Sequence, residues 1–264
     1  DGRYAVLNGN EGIIDAAYYD RDAYRQSFRE IFDELRAEGV FERTIPEIEN
    51  SDLFKLSPFK ALTRDQAVAV ESLLDDLLSD LGPSESQGRT RGRQMHPGYG
   101  KTIVAIFLMN LLADIRDYAD EDEIDPDSVF SEYFVPENRK RLADFKMALV
   151  VPQQSLRLSI RKVFRKTPKL HQSMVLSPFD VGKSREHFDL LIVDETHRLN
   201  QRANQPSGVL NKAFAEINRT LLGSDDPTFT QLDWIIAQSA SQIFLLDEAQ
   251  SVRPADLPIS RLRG

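Results

Sequence analysis

A Gly-Lys-Thr triplet that opens a long apolar segment is the feature that most limits how this chain can fold. Residues 96–102 read HPGYGKT, and residues 103–109, IVAIFLM, follow at once. The pattern predicts a glycine-rich loop at the start of a helix, whose backbone N–H groups and positive end hold phosphate oxygens. Lys101 would reach the outer phosphates, and the Thr102 hydroxyl would bind Mg²⁺. The sequence therefore predicts a nucleoside triphosphate site with a loop of Pro97, Gly98, Tyr99 and Gly100.

The approach to this loop departs from the full phosphate-loop pattern. In G-x-x-x-x-G-K-[ST] the first glycine falls on Met95. Residues 88–94, GRTRGRQ, are basic and polar where an apolar strand should lead into the loop, and we interpret residues 82–93 as a linker. The alternative is a Gly-Pro turn before a buried helix, with Lys101 an ordinary solvated lysine.

A pair of carboxylates follows an apolar strand further along the chain. Residues 190–199 read LLIVDETHRL, which places Asp194 and Glu195 at the carboxyl end of a strand, where ligands of α/β proteins bind. Asp194 would hold Mg²⁺ through water, and Glu195 would orient and deprotonate an attacking water. His197 and Arg198 would couple nucleotide hydrolysis at this site to the process that the hydrolysis drives. The alternative, a solvated acidic turn, is disfavoured by the Gly-Lys-Thr triplet roughly ninety residues upstream.

A third polar motif also follows an apolar strand. Residues 244–254 read FLLDEAQSVRP, so Asp247 and Gln250 form D-x-x-Q directly after the strand. Gln250 would then sit beside the γ-phosphate and report its presence. The alternative is that Asp247 caps the next turn, which strand-end aspartates often do.

The helix predicted over residues 63–81 has two possible roles at its start. Thr63 and Gln66 form the capping-box pattern T-x-x-Q, which by itself explains both residues. In helicase-like ATPases, however, a glutamine of an L-T-x-x-Q element reads an adenine edge. The position of Gln66, roughly thirty residues before the phosphate loop, favours adenine contact over capping alone.

The second half of the chain alternates apolar strands with helices, which predicts an α/β fold with a central parallel sheet covered on both faces. One predicted helix, over residues 155–169, carries Arg157, Arg161, Lys162 and Arg165. This basic face is either a solvated surface or a contact for nucleic-acid phosphates, and the sequence favours neither. The net charge of −9 means that any binding of nucleic acid must come from such a local face. The predicted strands cover residues 147–151, 173–176, 188–193 and 242–246.

Four elements therefore stand in order, L-T-x-x-Q, PGxGKT, DExH and D-x-x-Q. Over residues 57–254 the chain resembles the first RecA-like domain of superfamily-one helicases. More narrowly, it resembles bacterial helicase-like ATPases with a DEAHR-type box, some of which are joined to a GIY-YIG nuclease domain. The resemblance implies a RecA-like P-loop fold that uses ATP and Mg²⁺ to move along single-stranded DNA or RNA. It also matches VVPQQSLR, residues 150–157, with an element that contacts the nucleic-acid backbone.

The resemblance suggests a division of the chain. Residues 1–56 are expected to form a mostly helical N-terminal segment, and residues 57–264 the RecA-like ATP-binding domain. We expect the second RecA-like domain, with its arginine finger, to lie outside this chain as a partner, so that the fragment alone has low ATPase activity. Met95 and His96, where the family has small residues, are expected to weaken nucleotide binding.

Composition narrows the remaining alternatives. The absence of cysteine excludes thiolate metal sites, and four scattered histidines argue against a zinc site. No apolar run approaches twenty residues and no signal pattern opens the sequence, so we expect a cytoplasmic protein without a membrane partner. Two rivals to a helicase-type ATPase remain open: a non-catalytic nucleotide-binding or scaffold module with a degenerate phosphate loop, and an NTPase that acts on protein.

Overall fold

The computed structural model describes residues 20–40, 62–81, 91–95, 100–119, 128–202 and 208–245. The chain divides into two compact units, Asp1–Ser51 and Asp52–Gly264. Within the first unit, Arg21–Ala37 forms helix α1. Gly39 ends it in a left-handed conformation with φ 81°, and the Val40 N–H donates to the Leu35 carbonyl. This six-to-one hydrogen bond is the Schellman stop that favours glycine at this position.

Among the residues described, the second unit contains a sheet of five parallel strands, and the α/β RecA-like fold predicted from the sequence is confirmed. The sheet order is β1-β5-β4-β2-β3. Parallel strands need crossover connections, and helices supply them here. The strands are β1 (Arg91–Met95), β2 (Met147–Val150), β3 (Val175–Leu176), β4 (Phe188–Val193) and β5 (Ser239–Leu245).

Helices cover both faces of this sheet. Alternate residues of β4 show the division, since Leu190 and Ile192 pack with one group of helices while Leu191 and Val193 pack with the other. The first face carries α2 (Arg64–Asp80), α3 (Lys101–Asp117), α4 (Pro136–Leu142) and α5 (Gln154–Lys166). The second face carries α6 (Pro178–Lys183) and α8 (Gln231–Ala237), and α7 (Gly208–Leu222) packs against α8. Burial on both faces explains why the central strands read as continuous apolar runs.

Helix α3, which follows the phosphate loop, is the most deeply buried helix of the first face. Nine of its residues are buried, including Val104, Ile106 and Met109. Its apolar positions surround most of the helix rather than one stripe, as expected for a helix enclosed by its neighbours. The helix predicted after the Gly-Lys-Thr triplet is therefore confirmed.

The linker predicted over residues 82–93 is wrong at its carboxyl end. Arg91–Met95 is β1, and it pairs in parallel with β5 from Arg91 opposite Ser241 to Met95 opposite Leu245. Among the described strands β1 lies at the edge of the sheet. An edge strand is held by its backbone ladder and needs less apolar burial than a central one, so hydrophobicity did not reveal it. The strand that a phosphate loop requires is thus present.

A second difference concerns the strand predicted over residues 173–176. Gln172–Met174 forms a turn of 3₁₀ helix, and only Val175–Leu176 forms β3. The His171 ring nitrogen accepts from the Ser173 N–H, which favours the turn over an extended chain.

None of the helices within the described residues is long and apolar enough to cross a membrane.

Candidate nucleotide and metal site

The Gly-Lys-Thr triplet lies at the amino end of α3. Gly100 adopts the left-handed conformation, with φ 97° and ψ 28°, and the helix begins at Lys101. Gly100 has no side chain to cap this end, and the helix dipole favours an anion beside the first backbone N–H groups. The rest of the predicted loop, Pro97, Gly98 and Tyr99, lies outside the described residues, as does His96.

The sheet brings the two predicted metal-binding residues into direct contact. The Thr102 hydroxyl donates to the Asp194 carboxylate at 2.6 Å, although 92 positions separate them in the sequence. Asp194 follows β4 and is only 2% exposed. Its second carboxylate oxygen accepts from the Glu195 backbone N–H at 3.0 Å. Both oxygens of a buried carboxylate are therefore held in place, one of them by the phosphate-loop helix.

Burial governs the electrostatics of Asp194. The pKa of this carboxyl is raised to about 6, mainly by desolvation and to a smaller extent by the charge of Glu195. The hydrogen bond from Thr102 and the charge of Lys101 lower the pKa but do not offset the burial. A cation beside Asp194 would favour the charged carboxylate, so the surroundings suit a site that is completed by a metal ion.

Glu195 occupies a strained position in the turn after β4. Its backbone is left-handed, with φ 49° and ψ 47°, which is uncommon for a residue with a side chain. The following residues, Thr196–Arg198, form a 3₁₀ turn in which Thr196 and His197 are buried. The Glu195 Oε2 atom accepts from Arg198 Nε at 3.2 Å. The Glu195 carboxylate is therefore held by its own turn.

His197 lies in the same turn with its ring enclosed. It is 2% exposed, and Nε2 lies 3.2 Å from Glu195 Oε2. This separation lacks hydrogen-bond geometry, and neither ring nitrogen has a hydrogen-bond partner within the described part of the chain. Because buried polar atoms are normally satisfied, the ring is placed to accept a partner from outside these residues.

Gln66 forms the capping box at the start of α2 and also lies beside Gly100. Its Oε1 accepts from the Thr63 N–H at 2.9 Å, and its own N–H donates to Thr63 Oγ1 at 3.3 Å, which completes the capping box. Its amide nitrogen also lies so near Gly100 that a Cβ added there would be 2.6 Å from Nε2. The cap is thus confirmed, and the amide lies against the phosphate loop. Adenine contact stays a prediction.

Most of the predicted phosphate-binding cations on α5 have acceptors within the chain. Arg157 Nη1 donates to the Val151 carbonyl at 2.7 Å, and Arg161 donates twice to the Val175 carbonyl, at 3.0 and 2.8 Å. Arg165 donates to Gln172 Oε1 at 2.8 Å, whereas the side chain of Lys162 is exposed. Arg157 therefore holds the carboxyl end of β2 and Arg161 the first residue of β3, and the exposed cations of this helix are Lys162, Arg165 and Lys166.

A polar network around Arg202, which no sequence motif indicated, stabilises the segment that follows the 3₁₀ turn of the site. Arg202 binds Asp225 through two contacts, at 2.8 and 3.1 Å, and Asn218 donates to the same carboxylate at 3.1 Å. Asn218 in turn accepts from the Trp234 indole at 2.7 Å. These residues come from separate segments without a shared motif, so only the fold could reveal the network.

Asp247 and Gln250, the predicted γ-phosphate sensor, lie outside the described residues.

Among the residues that the structure does describe, no group of three or more histidine, aspartate or glutamate side chains could hold a metal. A magnesium site of the phosphate-binding type needs no such group, since one or two carboxylates suffice beside the oxygens of the substrate.

Comparison with known proteins places these features in a family. Residues 95–261, more than half of the chain, match the family model described as Schlafen group 3, DNA/RNA helicase domain. Searches among curated proteins and among solved structures gave no match. The matched region contains Lys101, Thr102, Asp194 and Glu195, so the site described above lies within the shared domain.

Proposed function

The chain belongs to the Schlafen group 3 DNA/RNA helicase domain family, and on that premise we propose that it binds and hydrolyses ATP at the carboxyl edge of its sheet. The observation that carries the proposal is the 2.6 Å hydrogen bond between Thr102 and Asp194. It joins Thr102, at the start of α3, to Asp194, which directly follows the buried strand β4. Nucleotide sites of α/β proteins lie at such an edge.

The chemistry of these two residues fits Mg²⁺. A hydroxyl and a carboxylate are both hard oxygen ligands, and the charge of Lys101 only partly offsets the burial of Asp194. Thr102 and Asp194 would hold the ion directly or through water. When bound, Mg²⁺ neutralises charge on the β- and γ-phosphates. The Gly100 turn and the open amino end of α3 would hold the phosphate oxygens, with Lys101 on the outer ones.

The remaining roles belong to side chains around this centre. Glu195, one residue after Asp194, would orient the attacking water and accept its proton. Gln250 would report the γ-phosphate. The position of the Gln66 amide against Gly100 supports its proposed contact with adenine.

We further propose that hydrolysis drives movement along single-stranded DNA or RNA, as in the superfamily-one helicases that the motifs resemble. The nucleic-acid backbone would run across the carboxyl ends of β2 and β3, beside the start of α5. Gln153, Gln154 and Ser155 are exposed there, and Lys162 and Arg165 lie further along the helix. A second RecA-like domain from another part of the protein would complete the ATP site.

Phosphate release from ATP, measured with and without oligothymidine, tests this function. We expect Mg²⁺-dependent turnover that the oligonucleotide stimulates, and a fall of about 100-fold or more in Glu195→Gln, because the variant cannot accept the proton of water. Glu186→Gln is the matched control, since Glu186 precedes β4 at the opposite end of the strand. Equal turnover in wild type and Glu195→Gln would contradict the assignment. Absence of Mg²⁺-ATP binding by the folded chain would favour a scaffold module.

A further inference from the structure

The turn after β4 holds an ion pair between Glu195 and Arg198 that the proposed reaction must disturb. Arg198 Nε lies 3.2 Å from Glu195 Oε2, and the two side chains are 31% and 26% exposed. A guanidinium that donates to Oε2 takes one acceptor position of the carboxylate and lowers its basicity toward the proton of an attacking water. In this arrangement Glu195 is therefore partly occupied by its own neighbour.

The backbone of this turn cannot move the pair apart easily. The Arg198 N–H donates to the Glu195 carbonyl at 2.8 Å, and Thr196 Oγ1 donates to the Val193 carbonyl at 3.0 Å. Thr196 and His197, between the paired residues, are 0% and 2% exposed. Release of Glu195 must therefore come from a change in the side chains, and the partly exposed guanidinium of Arg198 is the group that an external anion can reach.

The position of the turn indicates which anion would reach the Arg198 guanidinium. Val193 pairs with Val150, and the Asp194 N–H donates to the Val150 carbonyl at 2.9 Å, so β2 and β4 end side by side. The chain that leaves β2 forms the exposed start of α5, where no side chain caps the helix. Arg157 at that place already donates to the Val151 and Pro152 carbonyls. A phosphate backbone that crosses the ends of β2 and β4 would pass both the exposed start of α5 and the turn that carries Arg198.

From this placement we propose that Arg198 is a shared cation. Without nucleic acid it pairs with Glu195; when a single strand binds, Arg198 transfers to a backbone phosphate and leaves the Glu195 carboxylate open to water. Arg198 is thus a positioning residue that links strand binding to the proposed hydrolysis. This inference rests on the proposed function, because it needs a nucleic-acid backbone at this edge. A partly exposed ion pair is weak enough for a phosphate to replace it.

Binding of a fluorescent oligothymidine of about 20 nucleotides, measured by anisotropy without ATP or Mg²⁺, tests the exchange. Glu195→Gln removes the competitor for Arg198, so we expect binding about two- to fivefold tighter than in wild type. Arg198→Gln should bind more weakly, with a log–log salt slope smaller by about 0.7, the value for one lost phosphate contact. The double variant should match Arg198→Gln alone. A merely structural role for Arg198 would not make the effect of Glu195→Gln depend on it.

The control separates exchange from general repulsion. Glu186→Gln removes a carboxylate that also has a cationic partner, Lys146 at 3.8 Å, at the opposite end of β4, and it should leave affinity unchanged. Unchanged affinity in Glu195→Gln, or equal tightening in the double variant, would overturn the shared cation and leave the proposed function standing. If wild type does not bind the oligonucleotide at low salt, the nucleic-acid part of the proposed function fails, and this inference with it.

Discussion

Asp194 combines near-complete burial with a charge that its function needs. Its two oxygens are held by Thr102 and by the Glu195 N–H, but these hydrogen bonds and the charge of Lys101 do not offset the desolvation. Its immediate neighbour Glu195 carries a left-handed backbone, which costs about 1 kcal/mol or more. Two adjacent residues of the proposed site are thus arranged for ligand chemistry at the expense of stability.

This arrangement predicts that Asp194→Asn stabilises the metal-free protein. The folded pKa of about 6 lies above the ordinary value of 3.8, so the wild type loses stability as pH rises from 4 to 6 and stays less stable above that range. Asparagine does not titrate, and it can accept from the Glu195 N–H while donating to Thr102. We expect a gain of about 2–3 kcal/mol above pH 6, from about 1.4 kcal/mol per pH unit, which disappears near pH 4.

Urea unfolding in EDTA at several pH values measures this gain. Both proteins should bind no divalent metal under these conditions, so the comparison reports the carboxylate alone. A variant that is less stable than the wild type at pH 8 would show that the carboxylate is not destabilising in the folded chain.

At the scale of elements, α5 illustrates how a motif can be found and its individual residues misjudged. The sequence located the helix and its basic face, but it could not show that Arg157 and Arg161 bind backbone carbonyls at strand ends. Such contacts depend on side-chain direction and on chain segments distant in sequence. Strand β1 was missed for a related reason, because its stability comes from pairing with β5 rather than from its own composition.

Neighbouring cations on α5 should therefore respond differently to substitution. Arg161→Ala removes two hydrogen bonds to the Val175 carbonyl from a half-buried side chain, and we expect a loss of stability of about 1–2 kcal/mol. Lys162→Ala, one position along on the exposed side, should change stability by less than about 0.5 kcal/mol but reduce the salt slope of oligothymidine binding by about 0.7. Chemical unfolding and anisotropy on the same preparations separate the two effects. The opposite result, a loss of stability in Lys162→Ala and a smaller salt slope in Arg161→Ala, would assign the proposed phosphate contact to Arg161 instead of Lys162.

At the scale of the whole molecule, the parallel sheet explains why so much of the site could be predicted. Carboxyl ends of parallel strands meet at one edge, so an apolar strand before Asp194 and a helix after Gly100 were enough to expect proximity across 92 positions. The Arg202–Asp225 ion pair and its hydrogen bonds with Asn218 and Trp234 were not predictable in this way. They arise from packing between helices and loops, for which the sequence carries no period or spacing.

The central claim is that the Schlafen group 3 domain of this chain holds a working ATP site, and calorimetric titration with Mg²⁺-ATP tests it most directly. We expect wild type and Glu195→Gln to bind with similar affinity, because Glu195 acts on water rather than on ATP. Lys101→Ala should bind more than about tenfold more weakly, since it loses a charge-assisted contact to the outer phosphates. Equal binding by wild type and Lys101→Ala, or no binding by the folded wild type, would contradict the account.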